Sequence, residues 1–336
     1  MGVNKKRLIF FLFNDLACGI LQHFIINYYI CKSCERMMRM LTGMQILVIG
    51  GDARQLEVIN RLATLDAKIT LIGFEQLTVA ICGTEKAMLS EIDPAEFDAV
   101  LLPVSGVSTL GVVEAVFSDK EIILMENFIA QTKPSCVIYA GIISDYLEGI
   151  CTRADREVVS LMARDDVAIY NAVPTTEGVL LLAIQNTDIT IHDAKVIVLG
   201  LGRCGLGLAR VLDLLGAHVS VGVRSDEQLA RAFEMGLETF HLRELEQKVE
   251  DVDICVNTIP HLVLIPSVIA KMPLRALIID IASKPGGTDF RYADKRGVKA
   301  ILAPGLPGIV APKTAGKILA NVLSQLLISK NQKRSR

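Results

Sequence analysis

Three groups of residues have types and spacings that chemistry could use. The first is Gly200-Leu201-Gly202-Arg203-Cys204-Gly205, a G-x-G-x-x-G turn. It follows the apolar run Val196-Ile197-Val198-Leu199 and precedes a helical pattern (Leu206, Leu208, Val211, Leu212, Leu215) closed by Gly216. A β-branched apolar run of this kind suits a strand buried on both faces of a parallel sheet. In such a strand–turn–helix the first glycine makes the tight turn and the second admits a pyrophosphate against the backbone. The third lets the helix pack on the strand. The helix N-terminus then offers unpaired N–H groups and the positive end of its dipole to phosphates. Strand, turn, helix and the next strand (residues 218–223) are in register. A dinucleotide site is therefore expected, with Gly200, Gly202, Arg203, Cys204 and Gly205 around the phosphates.

The end of that next strand selects the cofactor. NAD sites usually carry an acid there for the ribose 2′-hydroxyl, whereas this chain has Val223-Arg224-Ser225. A guanidinium grips a 2′-phosphate bidentately and a hydroxyl donates to it, so NADP is expected over NAD. The plainer reading leaves Arg224 solvated and makes Ser225 the N-cap of the next helix, with Gln228 completing a capping box; the two readings are compatible.

The second group lies in three later loops, at the carboxyl ends of predicted strands where open α/β sheets bind ligands. Asn257 and Thr258 either hold the nicotinamide carboxamide or ribose, or shape a turn. Ser283 faces the cofactor, and Lys284 either pairs with a substrate carboxylate or is a solvated surface charge. Gly305 and Gly308 either admit close backbone approach or shape a loop stiffened by Pro304 and Pro307.

The third group is on the preceding half of the chain: Arg54, Ser105, Ser144, Thr176 and Glu177. Arg54, beside Gly50-Gly51, is the best carboxylate anchor because Arg matches that planar anion; the alternative is an ion pair with Asp52. Glu177 serves as a general base if buried, or as a dipole partner at a helix start. The catalytic residue is not assigned, and Glu177 and Lys284 are its candidates. The last histidine is His261, with none between residues 303 and 313, and no metal-ligand spacing occurs. Both facts argue against His-assisted alcohol oxidation and zinc chemistry.

These groups need two lobes to position them, and 336 residues suffice. A first strand–turn–helix–strand runs through residues 45–49, 50–54, 55–65 and 67–73, with a turn lacking the third spaced glycine. Further strands are expected at 99–103, 121–124 and 136–140, a helix at 146–164 and a short strand at 167–170. Pro174 reads as the first turn of a helix reaching Gln185, a link between lobes. Beyond Ser225, helices and strands alternate to six strands in the doubly wound manner, the later ones at 237–240, 252–256, 276–281 and 298–302. A final helix at 313–328 has the length to return to the first lobe. The expected fold is α/β: two Rossmann-like doubly wound lobes in a formate/glycerate dehydrogenase-like arrangement, with the cofactor cleft between them. The boundaries follow: 40–173 a substrate lobe, 174–194 the interlobe helix and linker, 195–311 the NADP domain, 312–336 the returning helix and a basic tail.

The net charge of −2 with no basic stripe argues against a nucleic-acid partner. The eight cysteines are irregularly spaced, and Cys31-Lys-Ser-Cys34 has no second pair to complete a zinc site. This is the pattern of a reduced cytoplasmic protein. Residues 1–39 differ: Lys5-Lys6-Arg7 precedes an apolar stretch, residues 8–31, long enough for a membrane helix but interrupted by Asn14, Asp15, Gln22, His23 and Asn27. A mis-set start is the favoured reading, with Met37, Met38, Met40 and Met44 as later starts. A membrane anchor or a poor signal sequence are the alternatives.

From about Met40 onward the chain resembles the A-subunit family of dipicolinate synthase in spore-forming bacteria. The stretches that carry the resemblance are MLTGMQILVIGGDARQLEVI, AIYNAVPTTEGVLLLAIQNTDITIH, VIVLGLGRCG, DICVNTIP, IDIASKPGGTDF and APGLPGIVAPKTAGKILANVL. Family members often carry Arg where Lys284 stands, which keeps the charge. The resemblance implies NADP-dependent oxidation of dihydrodipicolinate to dipicolinate, branching from lysine and diaminopimelate biosynthesis. It further implies a mother-cell cytoplasmic location during sporulation, an oligomeric assembly, and a partner in the flavoprotein-like B-subunit of dipicolinate synthase. Two other classes stay open: a non-catalytic NADP-binding subunit that orders or regulates its partner, and another two-lobe dehydrogenase acting on an amino or keto acid.

Overall fold

The computed structural model describes residues 40–334; the apolar stretch at 8–31 and the Cys31/Cys34 pair lie outside them. The first lobe is built from β1 (Gln45–Ile49), α1 (Ala53–Thr64), β2 (Lys68–Ile72), β3 (Thr84–Lys86), β4 (Ala99–Leu101), β5 (Val112–Val113) and β6 (Ile122–Ile123). It continues through α2 (Glu126–Gln131), β7 (Val137–Ala140), α3 (Asp145–Arg153) and β8 (Glu157–Ser160). Six of these strands form a parallel sheet ordered β3-β2-β1-β4-β7-β8. Apart from its first residue, β1 is fully buried, as expected of a strand covered by helices on both faces. Leu47 and Ile49 pack on one side of the sheet with α2 and α3, and Ile46 and Val48 on the other with α1.

A single 22-residue helix, α4 (Asp165–Asn186), leads to the second lobe. That lobe comprises β9 (Lys195–Leu199), α5 (Gly205–Leu214), β10 (His218–Val223), α6 (Asp226–Glu234), β11 (Glu238–His241), α7 (Leu245–Lys248) and β12 (Ile254–Asn257). Then follow α8 (Pro266–Lys271), β13 (Leu277–Asp280), α9 (Phe290–Arg296), β14 (Lys299–Leu302) and α10 (Leu306–Val310). Its parallel sheet runs β11-β10-β9-β12-β13-β14, six strands wound outward from β9. The chain closes with α11 (Pro312–Arg334), whose Leu319, Leu323 and Leu327 enter the core of the first lobe beside α1. Gly316 makes this possible, since a Cβ there would lie 2.6 Å from the Arg54 carbonyl oxygen.

Four local expectations are corrected. The helix expected over 146–164 ends at Arg153; Asp155, at φ 53°, reverses the chain, and the β-branched Val158 and Val159 form the edge strand β8. Residues 167–170 are the first turns of α4 rather than a strand, with Asp165 and Asp166 as its dipole partners. Pro174 therefore lies inside the helix instead of opening it. Taking it for a first-turn proline moved the link between lobes nine residues downstream. Residues 122–123 pair antiparallel with 112–113 in a two-stranded ribbon outside the main sheet.

Candidate active site

The two sheets place equivalent turns after β1 and β9, and their interiors differ. In the second lobe Gly200 has φ +96°, and a Cβ there would sit 2.6 Å from the Thr258 hydroxyl. On Gly205 a Cβ would lie 2.0 Å from the Gly200 carbonyl oxygen, so only glycine lets α5 begin against its strand. Around Gly202 nothing lies within 4 Å of where a Cβ would stand. The N–H groups of Gly202, Arg203 and Cys204 find no acceptor among the described residues. An open backbone, unpaired donors and the N-terminus of a ten-residue helix together fit the pyrophosphate of a dinucleotide. Arg203 is held by Asp165 of α4 (Nη1 to Oδ1 2.9 Å), which ties the turn to the interlobe helix. Burial pushes the Cys204 thiol up, so it remains protonated at neutral pH.

Arg224 and Ser225 leave the end of β10 exposed to solvent. Ser225 accepts from the Gln228 N–H at 3.3 Å and so caps α6, as one of the two readings held. The nearest acid in sequence, Asp226, is engaged by His241 (Oδ1 to Nε2 3.0 Å), leaving a guanidinium and a hydroxyl at the strand end.

Beyond β12 and β13 the polar groups form one buried network. Asn257 is fully buried; its Nδ2 donates to Asp280 Oδ1 and to the Ile259 carbonyl, both at 3.0 Å, and its Oδ1 accepts from the Ile259 N–H at 3.1 Å. Asp280, also fully buried, accepts from Ala282 N at 3.1 Å, Gly287 N at 2.8 Å and the Thr288 hydroxyl at 2.7 Å. These bonds fold residues 282–288 into a fixed loop that presents Ser283 and Lys284 to solvent. Asn257 thus spends its amide on the loop and has none left for a carboxamide. Thr258 likewise donates its hydroxyl to the Leu199 carbonyl at 2.8 Å, under the glycine turn. Asp280 was missed by sequence reasoning. A carboxylate ending the apolar run Leu277-Ile278-Ile279 was the available signal, because a buried acid must be fully hydrogen-bonded.

On the first lobe, Asp52 caps α1 by accepting from the Arg54 N–H at 2.9 Å, and its carboxylate is gripped by the Arg54 guanidinium (Nη2 to Oδ2 2.6 Å). Burial works to raise the Asp52 carboxyl, but the Arg54 hydrogen bonds and charge outweigh it and hold the group below its usual range. Arg54 Nη1 makes no bond among the described residues, and it lies across the lobe boundary against Gly308. A Cβ on Gly308 would come within 3.0 Å of the Arg54 guanidinium carbon. Gly308 therefore admits the second lobe to Arg54, and Gly305, at φ +72°, turns the chain into α10.

The remaining first-lobe candidates are not gathered around Arg54. Ser105 is exposed on the loop that abuts Ile142, and Ser144 caps α3 by accepting from Leu147 N. Thr176 is buried and donates back to the Ala172 carbonyl at 2.8 Å. Glu177 is exposed in the middle of α4, where neither burial nor a helix start acts on it. His261 is exposed on the loop before α8. Among the described residues no cluster of metal-ligating side chains occurs.

Two family models match the chain, and they meet at the start of α4. Residues 45–162 match the family model of the N-terminal domain of the dipicolinate synthase A-subunit, and residues 167–336 match the alanine dehydrogenase/PNT C-terminal domain. The dipicolinate synthase A-subunit of Bacillus subtilis (strain 168) is 54% identical over 288 residues, 86% of this chain and 97% of that protein. Two crystal structures are similar throughout. The dipicolinate synthase A-subunit from Bacillus halodurans has TM-score 0.84 and 54% identity, covering 85% of this chain and 98% of that one. The dipicolinate synthase A chain from Bacillus subtilis has TM-score 0.85 and 53% identity, covering 88% and 99%. A transhydrogenase from Sinorhizobium meliloti, at 17% identity and TM-score 0.60, shares the fold. Identity of this extent over 86% of the chain means that it belongs to the A-subunit family of dipicolinate synthase.

Proposed function

We propose that this chain oxidises dihydrodipicolinate to dipicolinate with NADP, in the mother-cell cytoplasm of a sporulating bacterium and together with a flavoprotein-like second subunit. The observation that carries the reading is 54% identity over 97% of the protein named as the A-subunit of dipicolinate synthase. The open, unpaired cradle at Gly202 supports a redox role for this chain rather than a purely structural one.

The cradle at Gly202 to Gly205 and the N-terminus of α5 hold the pyrophosphate, and Arg224 with Ser225 takes the 2′-phosphate. When bound, NADP supplies a two-electron hydride acceptor. Arg54 and Lys284 bind the two substrate carboxylates, one from each lobe. Arg54 is oriented for this by Asp52, and Lys284 by the loop that Asp280 folds. Loss of one hydride and one proton makes the ring aromatic, and that gain drives the reaction. The residues therefore act chiefly by positioning. Asp280 has both oxygens occupied and Glu177 is exposed, so the proton leaves to solvent.

The test is turnover of dihydrodipicolinate by the purified chain, with and without its partner, followed as NADPH absorbance. NADPH formed in step with dipicolinate is the expected result. Dipicolinate formed without NADPH would refute the oxidoreductase reading. Turnover unaffected by Gly202→Val would move the chemistry to the partner.

A further inference from the structure

Asn171 of α4 is 6% exposed, and its side-chain oxygen Oδ1 has no hydrogen-bond partner among the described residues. No other buried side-chain nitrogen or oxygen among those residues is left in that state. Asn257 shows the usual arrangement: it is buried too, and both ends of its amide are bonded. A buried amide oxygen without a donor is a cost that an apolar side chain of similar size avoids. Packing alone therefore gives no reason for asparagine at this position; a ligand that donates to it does.

The place of Asn171 narrows what that ligand is. Val167, Asn171, Pro174 and Gly178 are all buried, and their helical spacing puts them in one row on the inner side of α4. Val167 lies in the core of the first lobe, whereas Gly178 meets Leu306 of the second, so Asn171 stands at the boundary between the lobes. Asp165 of the same helix holds Arg203 of the glycine turn, and the helix rises about 9 Å from there to Asn171. Arg224, at the end of β10, marks the adenosine side of that turn. Strands β12 and β13 lie on the other side of β9, the half of the crevice left to the nicotinamide, and α4 packs on β13.

We propose that Asn171 is a cofactor-binding residue whose Oδ1 accepts an N–H of the nicotinamide carboxamide. The inference rests on the dinucleotide reading of the Gly202 turn. An amide oxygen only accepts, which excludes the substrate carboxylates, themselves acceptors, and selects an N–H donor. The carboxamide NH2 is the donor that a nicotinamide carries. Asn257, the partner expected for it, is committed to Asp280 and Ile259. A bond from α4 to the carboxamide fixes the rotation of the nicotinamide ring, so that one face is held toward a substrate bound between the lobes.

The test is calorimetric titration of the full chain, as wild type, Asn171→Leu and Asn171→Ala, with three probes. These are NADP, its 3-acetylpyridine analogue, in which a methyl replaces the carboxamide NH2, and adenosine 2′,5′-bisphosphate, which has no nicotinamide. The wild type is expected to prefer NADP to the methyl ketone by about three- to tenfold. Both variants should lose that preference by binding NADP more weakly, while their affinity for the bisphosphate stays at the wild-type value. Asn171→Leu should also melt no lower than wild type, because no bonded polar group has been removed. The proposal is overturned if the variants keep the wild-type preference, or if they weaken the bisphosphate as much as NADP, which would mark a merely structural role. It is equally overturned if they weaken dipicolinate binding and leave NADP untouched, which would give the amide to the substrate. Wild type that binds neither NADP nor NAD would instead fail the dinucleotide reading, and this inference with it.

Discussion

The turn after β1 and the turn after β9 occupy the same place in sheets of the same strand order, yet they have opposite fates. After β9 the second glycine faces open space and three N–H groups await an acceptor. After β1 the equivalent space is filled by the chain itself. Gly51 N donates to the Glu114 carbonyl at 2.8 Å, Val116 N donates back to Gly51, and a Cβ on Gly50 would be 2.3 Å from that same carbonyl oxygen. The stretch between β5 and β6 is thus a plug, and the turn it closes has been turned to presenting Arg54. Strand order alone does not make a phosphate site; unpaired donors next to empty space do.

The largest effect that would test this contrast is at Gly205. Gly205→Val places a side chain on the Gly200 carbonyl, so it should cost about 3 kcal/mol or more of stability and abolish dinucleotide binding, as melting and calorimetry would show. Gly202→Val should leave the melting temperature within a few degrees and still weaken binding by more than about tenfold; equal damage to both properties would break the distinction. On the first lobe, Gly50→Ala should destabilise by a few kcal/mol while dinucleotide affinity per folded molecule is unchanged.

Next in size is Arg54→Ala, expected to lower kcat/KM for the dicarboxylate by ten- to a hundredfold, about 1.5–3 kcal/mol for a charge-assisted bond, without altering cofactor affinity. Arg224→Asp should shift preference from NADP toward NAD by about tenfold. An unchanged preference would remove Arg224 from the site.

The smallest effect concerns Asp52. Its carboxyl is held below the usual range in the folded chain, so it contributes stability above the unfolded carboxyl pKa and loses it as pH falls through the folded value. Asp52→Asn should therefore cost about 0.5–1 kcal/mol near neutral pH, and the gap to wild type should close in acid. A gap that persists at low pH would mean that the Arg54 contact is not the cause.

Much of this contrast was legible in the sequence. The spacing of glycines distinguishes the two turns, buried β-branched runs locate both sheets, and the length of the last helical pattern points to the returning α11. The plug was not legible, because Val112–Val113 and Ile122–Ile123 are short and their pairing depends on where Gly51 lies. Asn257 was read as open to two roles; only the position of Asp280 decides that it braces a loop. For Glu177 the sequence offers a buried base or a dipole partner at a helix start, and with Pro174 inside α4 it is neither. Along α4 Thr176 is buried and its neighbour Glu177 is exposed.

The most direct measurement is the stoichiometry of NADPH binding by calorimetry on wild type and Gly202→Val, with folding confirmed by melting. One site per chain, lost in the variant while the fold persists, is the predicted result. Two sites per chain, or binding indifferent to Gly202→Val, would contradict the assignment of one open turn and one closed one.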